Sequence, residues 1–123
     1  MDDPRELIID HAANGRHWGV LPNPQIDQHA HNPLCGDTIH VTLAVVDGQV
    51  SQVGWAGQGC ALSQGTASLL GEHILGKDLA AISALTAADI FALIGMQPMM
   101  NRAKCALLAL QAVQNGIRAY KVP

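Results

Sequence analysis

The sequence predicts an α+β domain in which a small antiparallel sheet of about three strands carries helices on one face. Three observations predict this fold class: apolar and polar residues alternate in the first half of the chain, apolar residues recur at helical spacing in the second half, and an Asp-Gly pair joins two predicted strands. Strands followed by helices are typical of α+β folds, in which helices cover the sheet from one side.

The first element is a short N-terminal helix from about Pro4 to Ala13. Asp3 is a good N-cap residue, proline is favoured at the first helical position, and Glu6 suits the positive end of the helix dipole. An Asn-Gly pair then ends the helix. The proline-containing segment that follows has no sustained period, and predicts an extended connection with a short strand near residues 28–31.

Two longer strands and the helices follow. Residues 38–46 alternate with period two, and the Asp-Gly pair after them is a strong hairpin signal, so residues 49–56 are expected to return antiparallel. A helix is expected after Cys60. Thr86 and Asp89 predict a capping box for the next helix, and the long C-terminal helix is predicted over residues 99–120.

Length and composition limit the function classes. The 123 residues suit one domain with one core, and we take residues 1–123 as that domain. A net charge of -3 and an aromatic content of 3% argue against a nucleic-acid partner. We expect a cytoplasmic protein with no membrane partner, because the acidic N-terminus is unlike a signal peptide and no apolar run is long enough to span a bilayer.

The three cysteines are the candidate site residues. An odd count favours reduced thiols over a disulfide framework, and the spacing of Cys35, Cys60 and Cys105 excludes a local CxxC motif. Cys35 lies in the loop before the strand of residues 38–46, Cys60 at the bend before a helix, and Cys105 early in the last helix, so all three can fall at one end of the domain. Asp37 can point to the same side of an extended segment as Cys35. Three sulfur atoms and one oxygen make a tetrahedral ligand set.

Local features favour thiolates at two of these positions. Cys60 lies at a predicted helix N-terminus, where the dipole lowers a thiol pKa, and Lys104 and Arg102 place cations near Cys105. The plain alternatives are core cysteines, a turn aspartate and a solvated basic helix face. An imidazole is an alternative ligand, from His29, His31 or His40. The other histidines (His11, His17 and His73) are expected at the surface or its boundary, and the methionines Met96, Met99 and Met100 in the core.

The cysteine motifs also resemble a known family. The stretches "NPLCGD" at residues 32–37, "GQGCALSQGTASLL" at 57–70 and "RAKCALLAL" at 102–110 resemble, in order, the three cysteine motifs of the U-type iron–sulfur cluster assembly scaffolds. This family includes IscU, SufU and the N-terminal domain of NifU. The opening "ELIIDHAANGRHWGVL" at residues 6–21 resembles the family's first helix and turn. The resemblance implies an α+β fold.

The resemblance implies a function and a site as well. The family's three site cysteines map to Cys35, Cys60 and Cys105, with Cys105 as the candidate persulfide acceptor, and its metal-site aspartate maps to Asp37. The implied function is a scaffold, not itself an enzyme, that takes sulfur from a cysteine desulfurase, assembles a labile [2Fe-2S] cluster and transfers it to apo acceptor proteins. The alternative is a zinc-dependent sulfur acceptor, a sulfurtransferase, for a SufS-type desulfurase. A purely structural zinc module is a third interpretation.

Two departures concern the branch of the family. The chaperone-dependent branch has a Leu-Pro-Pro-Val-Lys motif and a histidine before its third cysteine, whereas this chain keeps only Pro98 of that motif and has Lys104 in place of the histidine. Basic residues before the third cysteine resemble the pattern of the SufU branch, and we take Lys104 and Arg102 as supporting residues of the site. That branch typically carries an insertion before the third cysteine, and the segment between Cys60 and Cys105 is too short to include it.

Overall fold

The computed structural model describes residues 3–121 and confirms the predicted α+β class. Its elements in chain order are α1 (Pro4–Ala13), β1 (Ile26–Asn32), β2 (Asp37–Val46), β3 (Gln49–Gln58), α2 (Ala61–Ile74), α3 (Leu79–Ser83), α4 (Ala87–Ile94) and α5 (Asn101–Lys121). The three strands form one antiparallel sheet in the order β1-β2-β3. No helix among residues 3–121 is both long enough and apolar enough to cross a membrane.

Local sequence signals account for most of the element ends. The Asp3 side chain accepts a hydrogen bond from the backbone N–H of Arg5 at 2.9 Å and so caps α1. The capping box of Thr86 and Asp89 is present at the start of α4. β1 and β3 are each longer than predicted, and the five-residue α3 was not expected, because a single helical turn is too short to show a period.

Helices α2 and α5 cover one face of the sheet and form the main core with it. The largest fully buried side chains of that core include Trp55, Ile39, Leu43, Leu70, Ile74, Leu108 and Ile117. α1 packs on α2, and α4 contacts both α2 and α5. The start of β2 and the N-terminal ends of α2 and α5 therefore meet at one end of the sheet, which is where the cysteines lie.

The outer edge of β3 is covered by the segment that follows α1. The backbone N–H of Trp55 donates to the carbonyl of His17 at 3.0 Å, and the N–H of Gly19 donates to the carbonyl of Trp55 at 2.7 Å. The indole N–H of Trp55 donates to the carbonyl of Arg16 at 2.7 Å. These bonds fix the segment that the sequence predicted as an extended connection, and they protect the edge strand from pairing with another chain.

Two expectations about burial were wrong. His11 is only 4% exposed, because α1 packs on α2 and its Nδ1 lies 2.7 Å from the hydroxyl of Ser68. Met99 and Met100 are 77% and 85% exposed, because they lie in the turn that precedes α5, outside the core. Met96 is half-buried beside the smaller core cluster between α1, α2, α4 and α5.

Candidate functional site

The loop between β1 and β2 carries Cys35 at the surface. The carbonyl of Asn32 accepts hydrogen bonds from the backbone N–H groups of Cys35 at 3.3 Å and Gly36 at 2.8 Å. The side-chain oxygen of Asn32 accepts a third bond, from the N–H of Leu34 at 3.1 Å. Asn32 itself is buried, so a fixed side chain shapes this loop and holds an exposed thiol at its turn.

Asp37 is the first residue of β2 and faces the helix side of the sheet, with 2% of its surface exposed. Its Oδ1 accepts a hydrogen bond from the backbone N–H of Cys60 at 3.1 Å, and its Oδ2 accepts one from the Cys60 thiol at 3.2 Å. Gly59 makes this approach possible. A Cβ atom there would overlap the Asp37 carboxylate, and its backbone φ of +141° is one that other residues rarely adopt.

Cys60 is the N-cap residue of α2, but its side chain does not cap the helix. It turns towards Asp37 instead, and its Sγ also lies 3.9 Å from the hydroxyl of Ser63. That hydroxyl donates to the carbonyl of Cys60 at 3.1 Å and accepts from the side-chain amide of Gln64 at 3.0 Å. Because both polar side chains are buried, the Cys60 thiol has a fixed polar environment.

Cys105 lies in the second turn of α5 and is 7% exposed. Its Sγ is 3.4 Å from the Sγ of Cys35 and 3.7 Å from the side-chain amide nitrogen of Asn32. All three cysteines are free thiols. One exposed, one half-buried and one buried thiol thus surround a single buried carboxylate.

The site favours an ionised Asp37 carboxyl group beside a protonated Cys105 thiol. Burial alone raises the pKa of Asp37, but interactions with the thiols of Cys35 and Cys60, the backbone N–H of Cys60 and the thiol of Cys105 outweigh it, so the pKa is lowered. Burial, together with the neighbouring thiols and the Asp37 carboxylate, raises the pKa of Cys105 to about 12. The expectation that Lys104 and Arg102 give Cys105 a thiolate is therefore wrong for the metal-free protein.

The donor geometry fits a thiophilic metal ion. One ligand atom each from Cys35, Asp37 and Cys105 lies within 4.8 Å of the others, and Cys60 adjoins this group through its bond to Asp37. Around a tetrahedral zinc ion, ligand atoms lie about 3.5–3.8 Å apart, given bond lengths of about 2.0–2.3 Å. Small side-chain rotations would therefore bring Cys35, Asp37 and Cys105 to a common ion. The Cys60 sulfur lies outside this group of three and would have to turn further to become the fourth ligand.

The other candidates lie apart from this group. Asp37 and His40 alternate across β2, so His40, and His29 paired with it, lie on the opposite face of the sheet. Lys104 and Arg102 are exposed. Lys104 lines a groove of about 390 Å³ next to the site, together with His31 and Leu34.

Asn32 and Ser63 were not identified from the sequence. The Asn-Pro pair is a turn signal that could have drawn attention to Asn32. Nothing local distinguishes Ser63 from an ordinary serine in the first turn of a helix.

Comparisons with known proteins agree on one family. A model of the "NifU-like N terminal domain" matches residues 4–122. The chain is 33% identical to "Zinc-dependent sulfurtransferase SufU" of Bacillus subtilis (strain 168), with 92% of this chain and 88% of that protein covered. It is 28% identical to "Iron-sulfur cluster assembly scaffold protein IscU" of Streptococcus pyogenes serotype M1, with 91% and 80% covered. The alignment with SufU spans 130 positions, more than the 123 residues of this chain, so the chain lacks positions that SufU has.

A solved structure shares the fold. The crystal structure of a nitrogen-fixing NifU-like protein (N-terminal) from Brucella abortus matches with a TM-score of 0.77 at 22% identity, covering 94% of this chain and 92% of that one. At this level of identity the match establishes the common architecture of sheet and helices, and the chemistry rests on the site itself.

Proposed function

Since the chain belongs to the family of NifU-like N-terminal domains, we propose that it is a scaffold for iron–sulfur cluster assembly. It takes sulfur from a cysteine desulfurase, assembles a labile [2Fe-2S] cluster and transfers it to apo acceptor proteins. The observation that carries this proposal is the convergence of three free thiols on the one buried carboxylate of Asp37. Thiolates are the ligands that iron–sulfur clusters prefer, and a carboxylate is a harder and weaker partner that favours later release.

The exposures of the thiols suggest an order for sulfur transfer. Cys35 is the exposed thiol, so its thiolate attacks the outer sulfur of the desulfurase persulfide; a new S–S bond forms and the desulfurase thiolate leaves. Cys105, 3.4 Å away, is placed to take the same sulfur from Cys35 by a second exchange once its own proton has left. Cys105 thus remains the candidate final acceptor, with Cys35 as the point of entry.

Cys35, Asp37, Cys60 and Cys105 would hold iron and the cluster as cargo, and Lys104 and Arg102 are proposed to assist from the surface. Lys104 lines the groove beside the site, and Arg102 is an exposed residue two positions before it on α5; both cations would attract an acidic partner surface. Because both are exposed, this role is in docking and not in setting the Cys105 pKa.

The second candidate function is that of a zinc-dependent sulfurtransferase. Two observations favour it: the donor set of three sulfur atoms and one oxygen is one that tetrahedral zinc takes, and the relative at 33% identity carries that name. Zinc would be held by the same four residues and would keep their sulfur atoms deprotonated. One cysteine would then leave the ion to attack the desulfurase persulfide, and the chain would act as an enzyme.

One experiment separates the two candidates. Metal-free, reduced protein is supplied under anaerobic conditions with a cysteine desulfurase, L-cysteine, either Fe²⁺ or Zn²⁺, and a dithiol reductant that supplies the electrons needed to convert persulfide sulfur to sulfide. The scaffold proposal expects visible absorption of a [2Fe-2S] cluster with Fe²⁺, followed by activation of an apo-ferredoxin. It is overturned if no cluster forms or transfers while the zinc-loaded protein strongly stimulates desulfurase turnover. Asp37→Asn should disturb either function, and Asp47→Asn in the β2–β3 turn, where asparagine is favoured, is the matched control.

A further inference from the structure

The face of the sheet turned away from α2 and α5 carries a second group of metal-binding side chains. The side chains of Asp27 and His29, two positions apart on β1, both point to this outer face, as does that of His40 on β2. In the antiparallel register His29 lies directly opposite His40, and Asp27 lies opposite Thr42, so Asp27 is the diagonal neighbour of His40. Register alone therefore places two imidazoles and one carboxylate side by side.

The side chains of this group are already close together. The imidazole rings of His29 and His40 are stacked, with centroids 3.9 Å apart and planes 16° from parallel. The Nε2 of His40 lies 2.6 Å from the Oδ1 of Asp27. One ligand atom from each of the three residues lies within 4.8 Å of the others. The Asp27 and His40 side chains are 52% and 23% exposed, so an ion can reach them from solvent.

A hydrogen bond between Asp27 and His40 explains only part of this arrangement. It uses one imidazole and leaves the second ring, that of His29, stacked on the first with its own nitrogen close to the carboxylate. An ion with bonds of about 2.0–2.2 Å to nitrogen and oxygen holds its ligand atoms about 2.8–3.6 Å apart, depending on whether its geometry is octahedral or tetrahedral. Because the lone pairs of stacked rings run nearly parallel, one of the two rings would turn out of the stack so that both nitrogens point at the same ion. Two imidazoles and one carboxylate on one face suit a first-row divalent transition-metal ion and leave positions open for water.

A groove of about 340 Å³ adjoins both imidazoles and is also lined by Trp18, Thr38 and Gln58. Asp27 is not among its lining residues, and its exposed carboxylate bounds the candidate site on the side away from the groove.

We propose that Asp27, His29 and His40 form a second metal site, for a divalent first-row transition ion such as Zn²⁺, Co²⁺ or Fe²⁺. It lies on the opposite face of the sheet from the cysteines. It does not depend on the function proposed above, because none of its ligands belongs to the cysteine site.

Co²⁺ distinguishes the two sites, since only a thiolate-bound ion gives intense sulfur-to-cobalt charge-transfer absorption. Metal-free, reduced protein is titrated anaerobically with Co²⁺, and bound metal is measured by equilibrium dialysis alongside the absorption. We expect two ions per chain, of which only one contributes the charge-transfer band. A single bound ion per chain, with the full band, would overturn the second site.

Variants assign the second ion to its ligands. His29→Gln and Asp27→Asn should each weaken it tenfold or more and leave the charge-transfer band unchanged. His31→Gln, an exposed histidine two residues further along the same strand, is the matched control and should alter neither ion. Equal weakening by His31→Gln, or no weakening by His29→Gln, contradicts the assignment.

A triple variant distinguishes a failure of the second metal site from a failure of the cysteine site. It carries Cys35→Ser, Cys60→Ser and Cys105→Ser together. It should lose the band and keep the second ion, whereas loss of both ions would show that the histidine group does not bind on its own.

Discussion

Gly59→Ala tests the contact on which the cysteine site depends. The added Cβ would lie on top of the Asp37 carboxylate, so the carboxylate must move away from Cys60. Two hydrogen bonds to that carboxylate, at 3.1 Å and 3.2 Å, are then lost or distorted. The substitution therefore changes the position of Asp37 without removing any proposed ligand.

The expected loss of stability follows from these contacts. Holding alanine at a φ of +141° costs about 1–3 kcal/mol, and losing a hydrogen bond to a charged group costs a further ~1.5–3 kcal/mol. We expect the free energy of unfolding of the metal-free protein to fall by about 2.5–6 kcal/mol. Zinc affinity should fall about tenfold or more, since 1.4 kcal/mol corresponds to one factor of ten and a ligand has been displaced.

Gly48→Ala is the matched control for backbone strain. Gly48 has a φ of +77° in the β2–β3 turn, and a Cβ there would meet nothing within 4 Å, so the cost is about 1–2 kcal/mol with no change in zinc affinity. Urea unfolding gives the stabilities, and competition with a chelator gives the zinc affinities. Our account of the site is wrong if Gly59→Ala is no less stable than Gly48→Ala and binds zinc like the wild type.

Three further predictions concern single side chains. Asp37→Ala should make a reconstituted cluster last longer, since it removes the weak oxygen ligand that favours release; loss faster than in the wild type under identical conditions contradicts this. Burial, and secondarily Arg16, lowers the pKa of His11 in the folded protein. As the pH falls, the unfolded chain therefore binds a proton at this histidine before the folded protein does. The free energy of unfolding should be at its full value above about pH 6.5 and should decrease below it, by up to ~1.4 kcal/mol per pH unit. Unfolding midpoints in urea from pH 8 to 5 measure this, and an unchanged slope in His11→Gln would count against it. In metal-free protein at pH 8, iodoacetamide should modify the exposed Cys35 well before Cys105. With a pKa of about 12, Cys105 is a thiolate in only ~1 in 10,000 molecules at this pH. Peptide mass spectrometry gives the order of modification, and early modification of Cys105 would refute the prediction.

Sequence patterns predicted the elements that depend on local chemistry. The alternation in β2, the Asp47-Gly48 turn and the Thr86 capping box each depend on residues within a few positions of one another. Burial of side chains at the ends of helices was harder to predict from the sequence. His11 is covered by α2, more than fifty positions away in the chain, and no local period reports that contact.

The same distinction applies to the candidate site. Cys35, Cys60 and Cys105 could be expected to converge because each lies where an element begins, and all three beginnings lie at one end of the sheet. The surroundings of Cys105 could not be predicted from its sequence neighbours, because adjacent residues of a helix point in different directions. Lys104 faces solvent, while the pKa of Cys105 is raised by its burial and by groups from the loop between β1 and β2, the start of β2 and the start of α2.

This arrangement has a consequence for how tightly the site holds its cargo. Three thiols around one ionised carboxylate cannot all lose their protons without placing several negative charges in a half-buried space. Burial first, and then the neighbouring thiols and carboxylate, raise the pKa of Cys105 to about 12. A bound cation removes that repulsion but must displace the protons first, so protons compete with metal for the same sulfur atoms. Since Cys35 is exposed, a ligand from a partner protein can reach a bound ion or cluster from solvent. Reprotonation of the thiolates then favours the metal-free state. A centre that is costly to deprotonate and open on one side is suited to transient occupancy, which the proposed scaffold function requires.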